Sequence, residues 1–135
     1  RLQAIIQQLH QTGCRVSLFM DPVPDQLRLA KQLGADRIEF YTGPYADHFA
    51  RQQAGQPNQH EQILAAFVAA AEVANALGLG INAGHDLNQQ NLATFCQAVR
   101  PVAEVSIGHG LITDALWAGL DTTVRRYDTI LENIG

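Results

Sequence analysis

The stretch HEQILAAFVAAAEVANALGLGINAGHDL, residues 60–87, decides the fold. Its first part, 60–78, is rich in alanine and closes on Gly78, which predicts a helix. Residues 79–84, LGINAG, are apolar and too few for a second helix, so they predict a short strand. The strand then delivers His85 and Asp86 together. Helix, strand and polar loop in that order make one unit of an α/β fold.

The same unit recurs on both sides. Residues 1–13 place Leu2, Ile5, Ile6 and Leu9 at helical spacing and end at Gly13. A strand follows over 14–20, and Asp21-Pro22 breaks it. Residues 24–35 predict an amphipathic helix, with Pro24 early and Gly34 at its end. A second strand is expected over 37–43, then a polar loop over 44–59 with room for one helical turn. Beyond the opening stretch, Asn88 predicts the cap of a helix over 88–99. A fourth strand spans 103–108. Residues 111–134 are helical with a break near Gly119-Leu120-Asp121, where Asp121 can cap the second segment. Strands that alternate with crossover-length helices run parallel, with the helices outside. Four such strands form either a small open sheet or half of an eight-stranded (β/α)8 barrel of the TIM type. A chain that opens in mid-helix and carries four βα units favours the second half of a barrel and a longer parent protein. No Gly-rich phosphate fingerprint follows the first strand, which weighs against a dinucleotide fold.

Bulk properties narrow the function. The chain has 135 residues, 47% of them apolar, with a formal net charge of −4. It can build a core, and disorder is not expected. No basic cluster exceeds the pair Arg125-Arg126, so a nucleic-acid partner is not expected. No apolar run approaches the ~20 residues of a membrane span, so no membrane partner is expected either. Cys14 and Cys96 stand far apart without a CxxC partner. Both read as small buried residues in a protein of the cytoplasm.

In α/β barrels the reactive groups sit at the carboxyl ends of the strands. That rule gathers Asp21, then Glu39, Tyr41 and Thr42, then Asn82, Gly84, His85 and Asp86, and finally Ser106, Gly108 and His109. Alternation puts Ile38 and Phe40 on one face of their strand and Arg37, Glu39 and Tyr41 on the other. An inward Glu39 needs a partner or a substrate. His85 has the chemistry of a general acid or base near neutral pH. Asp86 is expected to cap the helix that follows, or else to orient His85 or face solvent. Gly108-His109-Gly110 at a helix start offers free amides to an anion, which points to a phosphorylated small molecule. Leu116 and Trp117 read as packing or subunit-contact residues. His48 and His60 read as solvated, and His10 as a helix-end cation; none of the three is given a role.

Taken together, RVSLFMDP, GADRIEFYTGPYA, LGLGINAGHDLNQQNL and EVSIGHGLI resemble, in order and spacing, the C-terminal half of the pyridoxine 5'-phosphate synthase (PdxJ) family. The resemblance runs through nearly all of the chain and is weakest around 47–59. It implies a (β/α)8 barrel with added helices, assembled into octamers. It implies a transferase that condenses 1-deoxy-D-xylulose 5-phosphate with 3-amino-2-oxopropyl phosphate, giving pyridoxine 5'-phosphate, phosphate and water. This is the ring-closing step of bacterial vitamin B6 synthesis, and it needs no metal or organic cofactor. By the same resemblance His85 falls on the proton-donor histidine, Glu39 on the transition-state-stabilising glutamate, and Gly108 and His109 on the phosphate-holding pair. The family usually has glycine after that histidine, within the aminoketone phosphate site; this chain has Asp86. A carboxylate there repels phosphate unless its side chain turns away. The family's N-terminal half, with further catalytic groups, has no counterpart here, so residues 1–135 are expected to be one half-barrel unit without activity alone.

Two other readings remain open on the residues alone. One is a metal-dependent barrel hydrolase using His85, Asp86 and His109, although no HxH or HExxH spacing supports it. The other is a phosphate-binding or assembly module without turnover.

Overall fold

The computed structural model describes residues 1–134. It contains a four-stranded sheet in which β1 (Ser17–Met20), β2 (Arg37–Phe40), β3 (Gly80–Ala83) and β4 (Glu104–Val105) lie in chain order, all parallel. The helices are α1 (Leu2–Gln11), α2 (Pro24–Leu33), α3 (Gly43–Gln53), α4 (His60–Ala76), α5 (Leu92–Ala98), α6 (His109–Ala118) and α7 (Leu120–Glu132). The alternation expected from sequence is therefore present, strand for strand.

Local chemistry explains most boundaries. Pro24 opens α2, where its missing N–H costs nothing, and Gly34 ends it at φ +95°. In α4 the buried residues Phe67, Ala70, Ala71 and Ala74 fall at i, i+3, i+4 and i+7, one face of a helix. Alanine on that face lets the helix lie close against its neighbours. Gly119, at φ +82°, separates α6 from α7 as the sequence predicts.

One face of the sheet carries the core. Ile38, Phe40, Ile81 and Ala83 are fully buried beneath the helices. Phe40 meets Phe67 edge-on at 5.5 Å between ring centroids, Phe67 meets Phe95 at 5.3 Å, and Phe95 meets Tyr45 at 5.1 Å. This relay joins the strands to α3, α4 and α5. Burying each such side chain contributes roughly 1.5–3 kcal/mol. Tyr45 also donates its hydroxyl hydrogen to the Asn91 carbonyl at 2.7 Å.

The opposite face is polar and only partly covered, with Asn82 buried on it. Phe19, Glu39, Asn82 and Glu104 share one row across the four strands by register, and Phe19 is 57% exposed. Arg37 Nη1 donates to Asn82 Oδ1 and to Glu104 Oε2, both at 3.0 Å, and Arg15 reaches Glu104 at 3.2 Å. Strands β1 and β4 each pair on one side only.

Several expectations need correction. The polar stretch 44–59 is mostly helix: Pro44 fits the first turn, and Tyr45 and Phe49 are both buried along one face of α3. His60 is buried against Tyr45 and Phe49 at 5.2 and 5.4 Å rather than solvated, and its Nε2 meets no hydrogen-bond partner among the described residues. His48 accepts the Gln59 N–H at Nδ1 and is half-buried. His10 does more than close a helix, since its Nε2 lies 2.8 Å from Asp36 Oδ2. That carboxylate also accepts the Val16 N–H at 2.7 Å. The Val16 amide first, and His10 second, hold the Asp36 carboxyl below its usual range. Cys14 is exposed, whereas Cys96 is buried and burial pushes its thiol up to about 11. The helix expected over 88–99 begins only at Leu92.

Candidate functional site

The sheet's carboxyl end carries the site. β2 places Glu39 on the polar face, one residue before its end. β3 ends at Ala83 and passes through Gly84 into His85 and Asp86. A Cβ added to Gly84 would lie 2.0 Å from the Ser106 carbonyl oxygen, so only glycine lets the ends of β3 and β4 come this close. The chain after β4 runs through Ser106 to Gly108 and into α6.

His85 is half exposed and stands in an aromatic corner. Its ring lies edge-on to Tyr41 at 5.0 Å and to Phe19 at 5.7 Å, and those two rings are 5.6 Å apart. The Thr42 hydroxyl donates to the His85 carbonyl. Asp86 takes φ +60°, the left-handed region that aspartate tolerates better than most residues. Its Oδ2 lies 3.7 Å from His85 Nε2.

Asp86 is not the expected helix cap. No side chain caps α5, whose N-cap position is Asn91; Asn88 instead closes the turn before it, its Oδ1 accepting from the amides of Gln90 and Asn91 at 2.9 and 3.2 Å. Asn91, which is buried, then ties the loop to itself: its Nδ2 donates to the Asp86 carbonyl and its Oδ1 accepts the Asn88 N–H. The sequence reading missed Asn91. A second asparagine three residues after the first was the available signal. Gln89 donates to Asp114 of α6 at 2.7 Å, and Tyr127 of α7 lies 3.3 Å from the same carboxylate. Burial, with the Asp114 charge, pushes the Tyr127 phenol up to about 12.

Gly108 caps α6 without a side-chain bond, and the first amide to close on its carbonyl is that of Ile112 at 3.0 Å. The amides of His109, Gly110 and Leu111 thus precede the helical ladder, where an anion is best received. A Cβ at Gly110 would come within 3.0 Å of the Leu87 carbonyl, so glycine brings this helix start against the loop that carries His85.

The consequence is convergence. Glu39, Gly84, His85, Asp86, Gly108 and His109 border one hollow of about 270 Å³. The five residues that the family resemblance singles out, Glu39, His85, Asp86, Gly108 and His109, thus meet at one place, whereas Asp21, Tyr41, Thr42 and Asn82 of the wider strand-end set do not border it. A larger hollow of about 380 Å³ lies beside the residues leading into β4, lined by Cys96, Pro101, Val102, Leu131 and others. None of the five borders it, and although Arg100 and Glu104 line it, it holds no histidine. Among the described residues, no group of three or more His, Cys, Asp and Glu stands close enough to hold a metal ion. No described helix is long and apolar enough to cross a membrane.

Parallel βα units with polar groups and a free helix start at the strands' carboxyl ends define an α/β protein whose free backbone amides can accept an anion. The chain belongs to the family described as pyridoxal phosphate biosynthesis protein PdxJ, whose model matches residues 1–133. It is 51% identical over 131 residues to a pyridoxine 5'-phosphate synthase of Xanthomonas campestris pv. campestris (strain B100), covering 97% of this chain and 49% of that protein. It is 53% identical over 127 residues to the protein of the same name from Albidiferax ferrireducens, covering 94% and 48%. The synthase of Xylella fastidiosa (strain M12) is 49% identical over 134 residues, covering 98% and 49%. The chain spans about half the length of these curated relatives.

One prediction arises from Asp86. A unit charge ~4 Å from another in a water-like medium repels by about 1 kcal/mol. Asp86→Gly in the full-length protein should therefore tighten binding of inorganic phosphate about fivefold at low ionic strength, and the gain should shrink as salt rises. Calorimetric titration at two salt concentrations checks this. Equal affinity in the two proteins would show that the carboxylate points away from the bound anion.

Proposed function

We propose that this chain is the C-terminal half of a pyridoxine 5'-phosphate synthase, folded as one unit over residues 1–135. The full-length enzyme condenses 1-deoxy-D-xylulose 5-phosphate with 3-amino-2-oxopropyl phosphate, releasing pyridoxine 5'-phosphate, phosphate and water. The observation that carries the reading is the convergence of Glu39, His85, Asp86, Gly108 and His109 on one hollow.

The residue types suit the steps. An amine attacks a ketone, water and phosphate leave, and an aldol-type closure completes the ring. Each step needs a proton delivered or removed. His85 protonates a leaving or carbonyl oxygen. Glu39 stabilises positive charge developing at nitrogen. The amides of Gly108 and His109 hold a substrate phosphate, beside Asp86.

The complete (β/α)8 barrel belongs to the same proposal. Its support is the partly open polar face, where Phe19 is exposed, and the two unpaired edges, β1 and β4, which a second set of strands would close. A cytoplasmic octamer working without a metal or organic cofactor completes the reading. The test is an assay for pyridoxine 5'-phosphate formation on the full-length protein and on this chain alone. Turnover is expected in the first and none in the second. A full-length protein that binds phosphate but makes no product would end the proposal.

A further inference from the structure

Thr42 stands at the N-cap of α3, a position where threonine ordinarily turns its hydroxyl onto the amides of its own helix. Here it makes no such bond. Pro44 at the second helical position has no N–H to offer, which removes one of the usual donors to that oxygen. The hydroxyl, on a fully buried residue, is instead given to the carbonyl of His85 across the β2–β3 junction. The residue just before it, Tyr41, packs its ring against the His85 imidazole. Two consecutive residues at the end of β2 thus grip the same histidine, one by its backbone and one by its ring.

The rest of the loop is held from its far side. Asn91 takes the Asp86 carbonyl, and Tyr45 takes the Asn91 carbonyl. Between these points His85 has no side-chain hydrogen bond shorter than its 3.7 Å approach to Asp86. The Thr42 contact is therefore the direct restraint on where the imidazole begins.

We infer that Thr42 is a positioning residue for His85: its hydroxyl, withdrawn from capping α3, fixes the His85 backbone so that the imidazole stays in the Phe19–Tyr41 corner and faces the hollow. The inference rests on the synthase reading for its activity readout. It also makes a statement about His85 that holds without turnover.

The test uses the full-length protein with Thr42→Val, which keeps shape and removes the donor, and Thr42→Ser, which keeps the donor. Misplacement of a reacting group by ~1 Å costs about 10²-fold in rate. Thr42→Val should lower kcat by about that factor with little change in KM, and Thr42→Ser should restore most of it. In parallel, histidine is labelled with carbon-13, and the His85 ring signal is assigned by its loss in His85→Ala. Ring currents from Phe19 and Tyr41 should displace that signal in the parent and in Thr42→Ser. In Thr42→Val it should move toward the value of a free histidine. Unchanged kcat with an unmoved signal overturns the inference. So does a fall in kcat shared by Val and Ser variants with the signal in place, since that marks a packing role. A parent without turnover would sink the reaction, and the ring signal alone would then decide the role of Thr42.

Discussion

Replacing His85 with alanine in the full-length protein is expected to lower the rate of pyridoxine 5'-phosphate formation about 10²–10⁴-fold, the usual contribution of a positioned proton donor. The geometry makes this residue the strongest candidate for that role. His85 combines an imidazole, partial exposure and a place on the hollow beside Glu39 and the α6 start, with its ring packed in the Phe19–Tyr41 corner. His109 also borders the hollow, but as the first residue of α6 it offers an amide as well as a ring. Steady-state kinetics with both phosphorylated substrates give the answer. KM should change little, because the backbone that shapes the phosphate site stays in place. A near-normal kcat in His85→Ala would falsify the assignment while leaving the family untouched.

The second large effect concerns Gly84. Alanine there would press its methyl group into the Ser106 carbonyl, a backbone atom that cannot swing aside. The ends of β3 and β4 must part, and both carry site residues. Overpacking of this kind costs about 1–3 kcal/mol and sometimes more. Gly84→Ala should therefore lower the denaturation midpoint and also depress kcat, because His85 and the Gly108 amide shift relative to each other. Gly80→Ala is the control. There the added methyl would meet Arg37 Cγ at 2.8 Å, a side-chain atom that can shift where a backbone carbonyl cannot, at some strain on the Arg37 bonds to Asn82 and Glu104. Its cost should be well below that of Gly84→Ala. Equal losses in the two variants would mean that the β3–β4 approach is not the constraint.

The residues that were easy to read in the sequence share a cause. The alternation in β2 comes from burial on one face only, so Ile38 and Phe40 separate cleanly from Arg37 and Glu39. The same one-sidedness made Glu39 conspicuous. α4 and its Gly78 end follow from composition alone. α3 is hidden in the sequence because Gly43, Pro44, Gly55 and Pro57 look like loop punctuation, while its two buried aromatics give too short a pattern to outweigh them. Asp86 was read as a cap because aspartate favours caps; its left-handed backbone depends on the turn that Asn88 and Asn91 build around it. His60 reads as solvated because its neighbours in sequence are polar, and its burial comes from α3 folding back over it. Thr42 was visible only as a strand end. Its bond to His85 crosses between strands, and spacing along the chain carries no record of it.

The start of α6 lies on the hollow, and its far end carries Trp117, the single tryptophan of the chain, 91% exposed. An indole in that setting emits as it does in water. Its fluorescence is therefore nearly silent about melting of the Phe40–Phe67–Phe95 core. It becomes a built-in optical label for whatever comes to rest on the outer side of the helix that begins at Gly108 and His109.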